Sequence, residues 1–133
     1  DKVRLINFPC YQEDNGDLVV MQEMDDSVPF HISRVFNVRA DKDSIRGQHA
    51  HSECTQLLVC TNGSIEASCD DGETQSTHIL NKPYKGLLIL PGVWVEQKYL
   101  ENSSILTVLC DQPFNEEEYI RNYDEFKNYL NSK

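Results

Sequence analysis

Arg46-Gly47-Gln48-His49-Ala50-His51, with the following Gln56-Leu57-Leu58-Val59-Cys60 and Thr61-Asn62-Gly63, is the stretch whose reading decides the fold. In an extended strand residues i and i+2 share a face, so both imidazoles project into one space. The apolar run after them is short and continuous, as in a buried strand, and Asn62-Gly63 supplies positive φ cheaply for a hairpin into residues 64–69. Two same-facing imidazoles suit either a metal site or acid/base chemistry.

Working outward, short apolar segments recur between turn signals and mostly alternate with period two, which is strand behaviour. Segments 3–8, 18–22 and 32–38 precede the histidines, with Asp14-Asn15-Gly16-Asp17 as the turn between the first two. Asp70-Asp71-Gly72 supplies the turn after residue 69, and segments 77–80, 87–90, 93–99 and 105–110 complete a set of roughly ten strands, the spacing of a sandwich or barrel. The pattern changes after Pro113. Asn115 and Glu118 have the form of a capping box, and Tyr119, Ile120, Tyr123, Phe126 and Leu130 fall on one helical stripe. The expectation is one domain over 1–133: a mainly β barrel over 1–112, and one C-terminal α-helix over 113–133 packed on it. At that spacing the helical aromatics read as core, and Glu116-Glu117-Glu118 reads as a favourable anionic helix N-terminus.

The chain has 133 residues and a formal net charge of −10, enough length for one real core and too little for two ordinary domains. This acidity argues against nucleic acid as a partner, because phosphate binding needs Lys and Arg to release counterions. A small anionic ligand stays open, since local cations such as Arg34, Arg46 or Lys98 outweigh distant charge within a Debye length of roughly 8 Å. The five cysteines are odd in number and lack Cys-x-x-Cys spacing, so they read as reduced thiols, with Cys60, Cys69 and Cys110 as small buried hydrophobes. No apolar run reaches membrane-spanning length and no signal peptide is visible, so the expected location is the cytoplasm, with no membrane partner.

Gly47, His49, His51, Gln56 and Gly63 resemble the first cupin motif, in which a Gly precedes His-x-His, an acidic ligand follows, and a Gly closes the hairpin. Gly86 and Pro91-Gly92 resemble the second motif, but Gln56 takes the acidic position and Val95 stands where a third His is expected. A catalytic divalent metal wants about three protein ligands from His and carboxylates with one open position, so no metal and no other cofactor is expected. The imidazoles are then free to move protons, and His49 and His51 are the expected catalytic pair. His31 and His78 read as structural or solvent-facing.

Arg34-Val35-Phe36, Arg46-Gly47-Gln48-His49-Ala50-His51, Asn62-Gly63-Ser64, Asp70-Asp71-Gly72, Pro83, Gly86-Leu87, Pro91 with Trp94, and Tyr119-Ile120-Arg121-Asn122-Tyr123-Asp124-Glu125-Phe126 together resemble the WxcM-like sugar-nucleotide 3,4-ketoisomerases across almost the whole chain. The resemblance implies a jelly-roll cupin, a homodimer with exchanged N-terminal strands, and metal-free movement of a ketone from C4 to C3 of dTDP-4-keto-6-deoxy-D-glucose, in deoxysugar biosynthesis for surface glycans or natural products. It also implies His49 as the base for carbon-bound protons, a choice that spacing leaves open. Arg46 then stabilises enediolate charge or holds diphosphate, with Arg34 as second choice for phosphate. Gln56, Trp94, Gln97 and Lys98 are the remaining expected substrate contacts, with Trp94 either a stacking surface or barrel core. Relatives often carry Tyr at the position of Asn37 and His at that of Val95, which marks Asn37 as a further cavity position. A sugar-nucleotide epimerase and a non-catalytic sugar-binding cupin are the alternatives.

Overall fold

The computed structural model describes residues 1–133, folded as twelve strands and one α-helix. One sheet has the order β1-β9-β6-β11-β4, from β1 (Val3–Asn7), β4 (Arg34–Ala40), β6 (Gln56–Asn62), β9 (Lys85–Ile89) and β11 (Ser104–Cys110). The second has the order β12-β5-β10-β7-β8, from β5 (Ile45–His51), β7 (Ile65–Asp70), β8 (Gln75–Leu80), β10 (Trp94–Tyr99) and β12 (Tyr119–Ile120). Every pairing within them is antiparallel, and successive strands cross repeatedly between sheets, the arrangement of a jelly roll. The main core lies between the sheets, drawing Leu58, Leu87 and Leu106 from one and Ile65, Leu80 and Tyr99 from the other. At about 1.5–3 kcal/mol for each fully buried aliphatic side chain, this layer is the chief stabilising term.

Two satellite clusters cover the outer faces. Val28 and Phe30, from the segment after β3, lie against Leu57, Val59, Leu88 and Leu109 on the back of the first sheet. Ala50 and Trp94, on the back of the second, are covered by Phe126 of α1 (Tyr123–Asn131). The hairpin after β6 turns through Gly63 at φ +84°, where an added Cβ would meet Ser104 Oγ at 2.3 Å.

Two expectations need correction. The N-terminal turn joins β2 (Cys10–Glu13) to β3 (Gly16–Val19), an extra hairpin that pairs with neither large sheet. The helix does not run over 113–133. Asn115 caps a single 3₁₀ turn, Glu116–Glu118, and Tyr119 and Ile120 then extend to pair with His51 and Ala50. Asn122 is the true α-helix cap, its side chain accepting from the Glu125 amide. Pairing with the open edge of β5 outweighs the helical stripe, since two residues gain ladder bonds there. No helix is long and apolar enough to cross a membrane.

Candidate active site

The alternation of β5 places Ala50 on the outer face under Phe126 and turns His49 and His51 inward. Their rings meet edge to face, with centroids 5.0 Å apart. Tyr119, delivered by β12, closes against both, at 5.3 Å from His49 and 4.3 Å from His51. His49 opens on a cavity of about 250 Å³ whose polar lining is Arg46, Gln56, Gln97, Tyr119 and Arg121, with Phe36, Val38, Leu106 and Val108 as an apolar wall. A larger groove of about 1060 Å³ runs beside α1, between Asp70 and Lys127, but it holds neither histidine.

His51 lies behind His49 and is fastened from the rear. Its Nδ1 is hydrogen-bonded to Glu118 Oε2, while Glu118 Oε1 accepts from the backbone amides of Glu53 at 3.1 Å and Cys54 at 3.0 Å. Both side chains are buried, and His49 Nδ1 and His51 Nε2 have no hydrogen-bond partner. Burial drives the His49 pKa down to about 4, helped by His51 and Arg121. Burial also lowers His51, against the pull of Glu118. Burial would raise Glu118, but His51 and the two amides outweigh it and hold the carboxyl below its usual range. The site at neutral pH is therefore two neutral imidazoles backed by a carboxylate.

The expected substrate contacts separate by strand face. Arg46, Gln56 and Gln97 line the cavity. Gly47, at φ +83°, lets Gln97 in: an added Cβ would lie 2.5 Å from Gln97 Oε1. Arg34 is tethered at the rear of Tyr119, donating from Nη2 to the Tyr119 hydroxyl at 3.3 Å and to Cys110 Sγ at 3.6 Å. Cys110 is correspondingly acidic, drawn down to about 6 by Cys54 first and then, against burial, by Arg34 and Gln56.

Trp94, Lys98 and Asn37 face away from the cavity within this chain. Trp94 packs on Phe126 and Tyr123 and donates from Nε1 to Glu96 at 3.0 Å, so it lies under α1 on the outer face of its sheet, outside both the barrel core and the histidine cavity. Lys98 is exposed, since it follows the inward Gln97 in a strand. Asn37 alternates with the inward Phe36 and Val38, and accepts from Thr107 Oγ1 at 2.6 Å on the exposed face. The site reading missed Glu118 and Arg121. Arg121 pairs with Glu116 at 2.7 Å and lies 4.4 Å over the Tyr119 ring.

A family model described as FdtA: WxcM-like, C-terminal, matches residues 1–131. The chain belongs to the FdtA family. Among its FdtA-like relatives is the TDP-4-oxo-6-deoxy-alpha-D-glucose-3,4-oxoisomerase of Aneurinibacillus thermoaerophilus, 37% identical over 128 residues, covering 96% of this chain and 91% of that protein. A 3,4-ketoisomerase from Helicobacter canadensis is 35% identical, with a TM-score of 0.92 and 97% of each chain covered. A histidine-to-asparagine variant of the 3,4-ketoisomerase QdtA from Thermoanaerobacterium thermosaccharolyticum, solved with TDP-4-keto-6-deoxyglucose, is 33% identical, with a TM-score of 0.93 and coverage of 99% of this chain and 96% of that one.

Proposed function

We propose that this protein is a 3,4-ketoisomerase that converts TDP-4-keto-6-deoxyglucose into the 3-keto-6-deoxyhexose isomer. The observation that carries this reading is His49 on a cavity that Arg46 and Arg121 also line, with His51 edge to face behind it and the buried nitrogens His49 Nδ1 and His51 Nε2 unpartnered, in a chain of the FdtA family.

The C3 proton is acidic because it lies next to the C4 ketone. His49, the imidazole on the cavity, takes it as base, which leaves an enediol spanning C3 and C4, and returns it to C4. The hydroxyl proton moves from O3 to O4 by way of His51, so the carbonyl forms at C3 with protons conserved. Arg46 and Arg121 lie on the same cavity and supply the positive charge that a diphosphate or an enediolate needs, despite the chain's net charge of −10. Gln56 and Val95 occupy positions at which a cupin metal would want anionic or imidazole ligands, which supports a mechanism of proton transfer without metal.

The protein acts as a homodimer through its N-terminal strands, in the cytoplasm. The β2–β3 hairpin supports the dimer: it pairs with neither large sheet and leaves Tyr11 and Leu18 more than half exposed.

The test is proton NMR of TDP-4-keto-6-deoxyglucose mixed with the protein in deuterated water. Migration of the carbonyl to C3 is expected, with deuterium at C4 only to the extent that the proton on His49 exchanges with solvent before it is returned. Exchange at C3 or C5 with the ketone still at C4 would assign an epimerase, and an unchanged spectrum a binding protein.

A further inference from the structure

We propose that Glu118 is a positioning residue that locks His51 in its Nδ1–H tautomer and so presents Nε2 as a bare proton acceptor. This deepens the ketoisomerase reading and rests on it.

Three observations fix the carboxylate. Its Oε1 accepts from two consecutive amides, Glu53 and Cys54. Its own backbone is held against the same loop, since the Ser52 amide donates to Glu118 O at 2.9 Å and Ser52 Oγ donates to it at 3.2 Å. Next along the chain, Tyr119 pairs with His51 itself, so sheet register sets the distance between the carboxylate and the ring. A carboxylate only accepts, and a neutral imidazole has one donor and one acceptor nitrogen. Nδ1 must therefore donate to Glu118, and the proton is absent from Nε2, the buried nitrogen that has no partner.

His51, Cys54 and Glu118 also place three potential metal ligands within 4.8 Å of one another. Oε2 already faces the Nδ1 donor, however, and an ion held by both that oxygen and Nδ1 would displace their hydrogen bond. The proton role uses the arrangement as it stands. When Nε2 takes the O3 proton, the imidazolium forms beside Glu118, which stays ionised and stabilises it; Nε2 then gives the proton to O4, and the ring returns to its starting tautomer.

Wild-type protein with ¹⁵N-labelled histidine should show His51 Nδ1 protonated and Nε2 bare at neutral pH. In Glu118→Gln the amide oxygen can keep the two backbone donors while the NH₂ faces Nδ1, so the tautomer should invert. The kcat should fall about 10²- to 10⁴-fold, with KM and TDP affinity within about threefold of wild type. Protonated Nε2 in the wild type overturns the proposal without any variant being needed. So does a folded Glu118→Gln with wild-type kcat. If the wild type leaves TDP-4-keto-6-deoxyglucose unchanged, the ketoisomerase reading fails and the catalytic role of Glu118 with it, whereas Nδ1 protonation would still establish the positioning contact.

Discussion

Replacing His49 by Gln removes an imidazole that burial, His51 and Arg121 together keep neutral, and the consequence for stability depends on pH. In the folded protein this ring titrates at about 4, against 6.5 for an ordinary histidine. As pH falls, the unfolded chain therefore takes up the proton first. Stability contributed by the neutral ring is intact above about pH 7, declines from about pH 6.5 to 4, and is lost once both states are protonated. The ratio of binding polynomials gives about 2 kcal/mol lost between pH 7 and pH 5, rising to about 3 kcal/mol below pH 4. His49→Gln has no such loss. Denaturant unfolding of both proteins at pH 7 and pH 5, at one fixed protein concentration, should show the variant gaining about 2 kcal/mol on the wild type at the lower pH. A difference that stays constant within about 0.5 kcal/mol would refute the reasoning. Activity carries the same signature: kcat/KM of the wild type should show no protonation limb near pH 6.5, and a tenfold fall between pH 7 and 5.5 would mean that His49 titrates like a solvent-exposed ring.

Three further outcomes are expected. Gly47→Ala forces a side chain into a backbone at φ +83° and against Gln97 Oε1 and the Val95 carbonyl, so stability should drop by about 1–3 kcal/mol and KM should rise, both measurable by thermal melts and steady-state kinetics. Phe126→Ala empties the contact that holds α1 on Ala50 and Trp94 and should cost about 3–5 kcal/mol in denaturant unfolding. Prolonged chelation should leave the turnover rate unchanged; loss of activity that a divalent cation restores would overturn the metal-free mechanism.

Much of the β architecture is local information. The shared face of His49 and His51 follows from period two, and the Asn62-Gly63 hairpin from the φ its turn requires, so both are legible at short range. Period two also carries information that the expected cavity list did not use. Gln97 and Lys98 are strand neighbours and cannot both face inward, and Asn37 cannot share a face with Phe36 and Val38. Trp94, Glu96 and Lys98 form one face and Val95, Gln97 and Tyr99 the other; the side packed into the inter-sheet core is the one with Val95 and Tyr99. Parity within β10 and β4, with Val95 and Tyr99 in the core and Phe36 and Val38 on the cavity, assigns Gln97 to the cavity and removes Lys98, Trp94 and Asn37 from it.

The C-terminal segment fails for a different reason. Residues 115–118 and 122–125 both have capping form, and local propensity ranks neither above the other. What decides between them is an unpaired strand edge 67 residues away from Glu118, at His51, which no window around Pro113 contains. Tyr119 and Ile120 are an aromatic and β-branched pair, suited to that edge, and once they extend, Glu118 is carried off the helix and down onto the histidine. One tertiary pairing thus shortens the helix, places Tyr119 against both imidazoles, and converts a residue that reads as a solvated helix terminus into the buried anion of the site. Site chemistry is underread from sequence at this point because the carboxylate's role is set by the partner strand, whereas the histidines' facing is set by their own.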